Sequence, residues 1–161
     1  MGSQPLERFR IAQDRPGSGF DSALVELQSG GKQGHWIWYV FPQLAGLGTS
    51  SFSREYGIDG YAEAAQYLRD PVLRSRLLAV TLAVAGCLEK RASVDDLMGS
   101  RIDALKLVSS LTLFERVART LEAAKGVDEY KALADAAGQV LAAAASQGYA
   151  RCRYTLDCLG S

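Results

Sequence analysis

The sequence predicts an all-α domain. Three observations carry that reading. Apolar residues recur at helical spacing through most of the chain, capping and stop signals bracket those stretches, and no second strong strand exists to pair with the single strand-like segment. With 161 residues, 48% of them hydrophobic and 22% charged, the chain fits one compact domain over 1–161 and excludes whole-chain disorder. The expected architecture is about seven to eight helices with a long central loop.

Leu6 to Gln13 reads as a short helix with Phe9 and either Ala12 or Ile11 inward. Pro16 to Gly19 is a loop. Asp21 or Ser22 can cap a second helix carrying Ala23, Leu24 and Leu27, and Ser29-Gly30-Gly31 ends it. His35 to Phe41 is aromatic and β-branched, which favours a strand by propensity. One strand is not stable alone, so a buried extended or short helical segment is preferred, ended by Pro42. Gln43 to Gly60, rich in glycine and serine, is the long loop. Tyr61 to Leu68 is helical. Asp70 caps the next helix, Pro71 takes its first position, and it continues to about Leu88. Ser93 caps Val94 to Met98; longer helices follow over Ile102 to Leu121 and Asp128 to Ser146, and Tyr154 to Leu159 is a final turn.

The charges balance, with 18 Lys and Arg against 18 Asp and Glu. Broad electrostatic binding to nucleic acid is therefore disfavoured, although Arg54, Arg69, Arg74 and Arg76 on one face would revive it. The longest apolar stretch, Leu77 to Leu88, reads as a buried helix, so no membrane partner is expected. Met1 to Pro5 lacks a signal sequence, and the three cysteines, Cys87, Cys152 and Cys158, suit reduced thiols. The expected location is cytoplasmic. One histidine without metal-ligand spacing argues against a metal, and no phosphate-loop or nucleophile-elbow motif is present, so no cofactor is expected.

Three places hold polar residues in suggestive patterns. Asp103, Lys106 and Ser110 share a stripe beside the apolar face of the 102–121 helix, where they can line a polar pocket or form a local i,i+3 ion pair. Lys32, His35, Trp36 and Trp38 bring together the one histidine and both tryptophans. Indole faces suit a base or a nicotinamide ring, His35 can move a proton near neutral pH, and Lys32 can hold an anion; the plainer reading is core aromatics and a structural histidine. Arg74 and Arg76 follow the Asp70 cap, either as part of an anion site or as solvated side chains.

Leu6-Glu7-Arg8-Phe9, Gly31-Lys32, His35-Trp36-Ile37-Trp38-Tyr39-Val40-Phe41-Pro42-Gln43 and Ser109-Ser110-Leu111-Thr112-Leu113-Phe114 carry a family resemblance. Over about residues 6–118 the sequence resembles the bacterial and fungal family called domain of unknown function 1810. The Ala-rich helix and Arg151 depart from its pattern. The resemblance implies a mainly helical domain, and the family motif takes in Lys32, His35, Trp36, Trp38, Gln43, Asp103, Lys106, Ser109, Ser110 and Thr112. The family is loosely similar to the NADAR (YbiA-like) N-glycosidases, which act on ribosyl linkages.

The expectation is a helical enzyme or binder for a nucleotide- or ribosyl-like small molecule. In its N-glycosidase (hydrolase) version His35 protonates the leaving group and Asp103 stabilises the oxocarbenium-like charge or activates water. Trp36 or Trp38 stacks on the base. Lys32, Arg76 and Lys106 hold phosphate, and Gln43, Ser109, Ser110 and Thr112 complete the ligand contacts. The alternative is a non-catalytic helical interaction module.

Overall fold

The computed structural model describes residues 6–125 and 127–160. The processing reading of Met1 to Pro5 lies outside them. The described residues form ten helices: α1 (Glu7–Gln13), α2 (Phe20–Gln28), α3 (Ile37–Val40), α4 (Ser51–Glu55), α5 (Gly60–Arg69), α6 (Pro71–Glu89), α7 (Val94–Met98), α8 (Arg101–Lys125), α9 (Asp128–Ser146) and α10 (Arg153–Leu159). The all-α expectation holds, with more helices than the seven or eight anticipated. Short ones account for the difference.

Helix α6 packs on α9, α2 and α5. Its start follows the local rules: Asp70 Oδ1 accepts from the Val72 and Leu73 amides at 2.9 and 3.0 Å, and Pro71 gives up an amide that would be unpaired anyway. By length and composition α6 resembles a membrane-crossing helix; here its inward side, through Leu73, Leu77, Val80 and Val84, is fully enclosed. Helices α8 and α9 pack antiparallel, joined by the Arg119–Asp135 ion pair, and Arg151, in the segment after α9, pairs with Glu115 of α8.

The aromatic segment resolves to the short helix α3, with Ile37, Tyr39 and Val40 buried. Strand propensity yields here because no neighbouring strand offers a ladder, and turning the segment buries successive side chains on α1 and α8. Helix α2 starts one residue before the expected cap, with Gly19 at its N-cap and no side-chain hydrogen bond there.

The 43–60 segment is not wholly irregular. Leu44 and Ile58 form an isolated parallel bridge, with Ala45 N–H to Ile58 O and Ile58 N–H to Gln43 O both at 2.9 Å. Those bonds close a loop that carries α4, capped by Ser50 Oγ accepting from the Ser53 amide at 3.0 Å. Arg8 secures the far side of the loop, donating to Glu55 O and Gly57 O and pairing with buried Glu63.

Candidate functional site

The residues around Lys32 are positioned by Glu26 on α2. Its Oε1 accepts three N–H groups, from Gln33 at 2.7 Å, Gly34 at 2.9 Å and the Trp36 indole at 2.8 Å. Burial alone would raise its pKa. The three donors and the Lys32 charge outweigh that and hold Glu26 below its ordinary value. Trp36 is thereby fixed as a fully buried core residue, and its ring is closed to a ligand.

Lys32, so anchored, reaches α8. Its Nζ lies 2.7 Å from Asp103 Oδ2, while Lys106 Nζ lies 3.7 Å from Oδ1 of the same carboxylate. The Lys32 side chain is 6% exposed and that of Asp103 18%, so this is a nearly buried pair and not a solvated one. Each ammonium also faces an indole: Lys32 stands 5.3 Å from the Trp36 ring centre and Lys106 5.9 Å from that of Trp38. One carboxylate between two cations links the tryptophan segment to α8.

Beside Lys106 lies a cleft lined by Trp38, Phe41, Gln43, Phe52, Ser53, Tyr56 and Gly57. It encloses about 220 Å³ out to its mouth, of which about 10 Å³ is deep enough to seat a water. Phe52, on α4, stacks on Trp38 with ring centres 4.8 Å apart and planes at 29°, yet stays 44% exposed. The Trp38 indole Nε1 is buried without a hydrogen-bond partner. Gln43 presents its amide, whose Nε2 makes one long bond of 3.5 Å to Leu47 O. Leu105 and Ile102, on the outer side of α8 near Lys106, are exposed.

Lys32, Asp103, Lys106, Trp36 and Trp38 thus come together, with Gln43 in the adjoining cleft. His35 is exposed, and among the described residues no hydrogen bond joins it to Asp103. Arg76 lies elsewhere. Its guanidinium bonds Asp14 at 2.7 Å and Gln13 Oε1 at 3.3 Å and covers the Phe20 ring, at an open recess shared with Arg15. Arg74 pairs with Glu129, and Arg54 donates to Thr49 O, so these arginines are spent on local contacts.

The α8 hydroxyls divide. Ser109 and Thr112 donate to carbonyls one turn back, Leu105 O at 2.9 Å and Val108 O at 2.7 Å. Thr112 also accepts the Cys152 amide at 3.1 Å, which ties α8 to the start of α10. Burial raises the Cys152 thiol pKa, but hydrogen bonds from Ser109, Thr155 and the Thr155 and Tyr154 amides bring it below its ordinary value. Ser110 is fully buried and its hydroxyl has no partner.

Sequence reasoning missed Glu26, Phe52 and Gln13. Glu26 sits three residues after Ala23, at the margin of the apolar face of α2, which was its one local signal. Phe52 had none, being a lone aromatic among serines.

Fold and cleft together define a small helical protein in which a cation pair, a carboxylate and an indole meet at one edge of α8. The chain belongs to the family described as "Protein of unknown function (DUF1810)", whose model matches residues 3–137. It is similar to the conserved hypothetical protein Rv1873 from Mycobacterium tuberculosis, at 34% identity over 96% of this chain and 95% of that one, with a TM-score of 0.71. None of the curated proteins matches it.

Proposed function

We propose that the protein binds a small, planar, negatively charged molecule of nucleotide-like chemistry at the Trp38–Lys106 cleft. The carrying observation is the Trp38 indole, whose face already holds an aromatic ring in Phe52 and whose buried N–H has no partner among the described residues, beside the Lys106 ammonium. The ring takes the indole face, the anion takes Lys106, and Gln43 supplies the orienting amide. Asp103, itself fixed by Lys32, holds Lys106 in place.

This reading favours binding over N-glycoside hydrolysis. Asp103 is engaged by Lys32 and Lys106, and among the described residues no hydrogen bond joins it to His35, which supports a positioning role for Asp103 over a catalytic one. The test is calorimetric titration with adenosine and uridine 5′-monophosphates, with ribose 5-phosphate as the ringless control. Saturable binding of a mononucleotide, lost in Trp38→Leu and weakened in Lys106→Met, is expected. Equal binding of ribose 5-phosphate, or binding indifferent to Trp38, refutes the reading. Release of free base in the same samples, followed by chromatography, would restore the hydrolase version.

A further inference from the structure

We propose that Phe52 occupies the place of the ligand's ring, and that binding exchanges the ligand for Phe52 as α4 swings off Trp38. This rests on the binding reading above and adds the segment that gates it.

Four observations converge. First, the cleft as it stands is too small: its deep part seats one water, whereas any six-membered ring needs the space the Phe52 ring now fills. Second, that ring is in the stacked geometry a planar ligand would adopt on an indole, at 4.8 Å and 29°. Third, Phe52 is 44% exposed, so only part of its surface is uncovered on leaving, and the incoming ring restores the cover it gave Trp38. Fourth, α4 is built to move as a unit. The Leu44–Ile58 bridge closes the neck of its loop, and Gly57 packs there so tightly on Ala45 that a Cβ would stand 2.8 Å from the Ala45 Cα. Between neck and α4, Gly46 and Gly48 hold φ of +97° and +80°, backbone conformations that glycine enters and leaves without Cβ strain. Ser50 Oγ with the Ser53 amide and Arg54 with Thr49 O at 2.7 Å travel with α4, which pivots about its last residue, where Arg8 Nε holds Glu55 O at 2.9 Å. The neck on the α10 side is fastened separately, by Tyr154 donating to Ala45 O at 3.0 Å.

The consequence for specificity is that the ligand must outcompete a phenyl ring tethered beside the indole at a high but finite effective concentration. A ring alone does not, because it only replaces one stack with another. A ring joined to an anion does, since Lys106 adds an interaction that Phe52 cannot make. The site therefore selects planar anions and rejects neutral arenes.

Two measurements test this. Phe52→Ala should bind adenosine or uridine 5′-monophosphate about twofold to tenfold more tightly than the wild type, the range expected for removing one competing aromatic stack. Weaker binding in Phe52→Ala means Phe52 is a fixed wall of the site, and overturns the proposal. Independently of any ligand, native-state hydrogen exchange should show the Arg54 and Tyr56 amides, which bond Ser50 O and Phe52 O, opening at least tenfold more often than amides in the middle of α5. Equal protection overturns the proposal. If no mononucleotide binds either protein, the ligand reading fails by itself, and the exchange result decides whether α4 opens.

Discussion

Lys32 and Asp103 are 71 positions apart in the chain, and their side chains meet at 2.7 Å with almost no access to water. Removing Lys32 leaves the mostly buried Asp103 carboxylate with only the more distant Lys106 ammonium at 3.7 Å, which costs more than the pair contributes. Lys32→Met should therefore destabilise the protein by about 3 kcal/mol, read as a fall in the urea midpoint at unchanged slope. The double variant Lys32→Met/Asp103→Leu should recover much of that loss. A double variant as unstable as the single would show that the charges are not what Lys32 contributes.

Gln13 is a second buried polar hub, 4% exposed. Its Nε2 donates to Tyr39 O at 2.7 Å and Tyr67 Oη at 3.0 Å, and its Oε1 accepts from Arg76. Tyr67 is enclosed so completely that its phenol is pushed well above the ordinary tyrosine range, and it stays neutral throughout. Gln13→Leu keeps the volume but takes the Gln13 amide away from the buried Tyr39 carbonyl and Tyr67 hydroxyl, so a loss of about 2 kcal/mol is expected, measured by thermal unfolding. A change within experimental error would mean that water replaces all three bonds.

These two hubs mark the limit of what the sequence discloses. Helix α6 was legible because its signals are local: Asp70, Pro71 and an apolar run. The Asp103–Lys106 pair was legible for the same reason, lying one helical turn apart. The Lys32 contact with Asp103 was not, because nothing in either segment's pattern encodes a meeting over 71 residues. Arg76 was misplaced by a related error. Its position after a helix cap suggested an anion site, whereas the fold brings Asp14 and Gln13 of α1 to it. Helix α4 escaped notice because five residues flanked by glycines carry too little periodicity to register, although Ser50 is a normal cap.

The loop neck offers a third test. Gly46 has φ of +97°, and a Cβ there would collide with the Tyr154 hydroxyl. Gly46→Ala should cost about 1–2 kcal/mol from the backbone alone and should also displace Tyr154 from Ala45 O. Tyr154→Phe in the same background relieves the collision but not the backbone strain. Partial recovery of the melting temperature in the double variant is expected; full recovery would show that the dihedral is unstrained by a side chain.

The fourth prediction concerns pH and Glu26. Its pKa in the folded protein lies below the ordinary value of 4.5, because the Gly34, Gln33 and Trp36 N–H groups and the Lys32 charge outweigh its burial. The unfolded chain then takes up the proton first as pH falls, so the native state loses stability relative to it. The contribution of Glu26 is complete above about pH 5 and declines as pH falls through 4.5 toward the lower folded value. Glu26→Gln has no such titration, and its amide serves the three donors less well than a carboxylate does. The melting temperature of the variant should accordingly lie below that of the wild type at pH 7, and the gap should narrow between pH 5 and pH 3. Other carboxylates titrate in both proteins and cancel in the difference, which leaves Glu26 as the source. A gap that stays constant across this range would show that the ionised state of Glu26 contributes nothing to holding the Lys32–Trp36 segment.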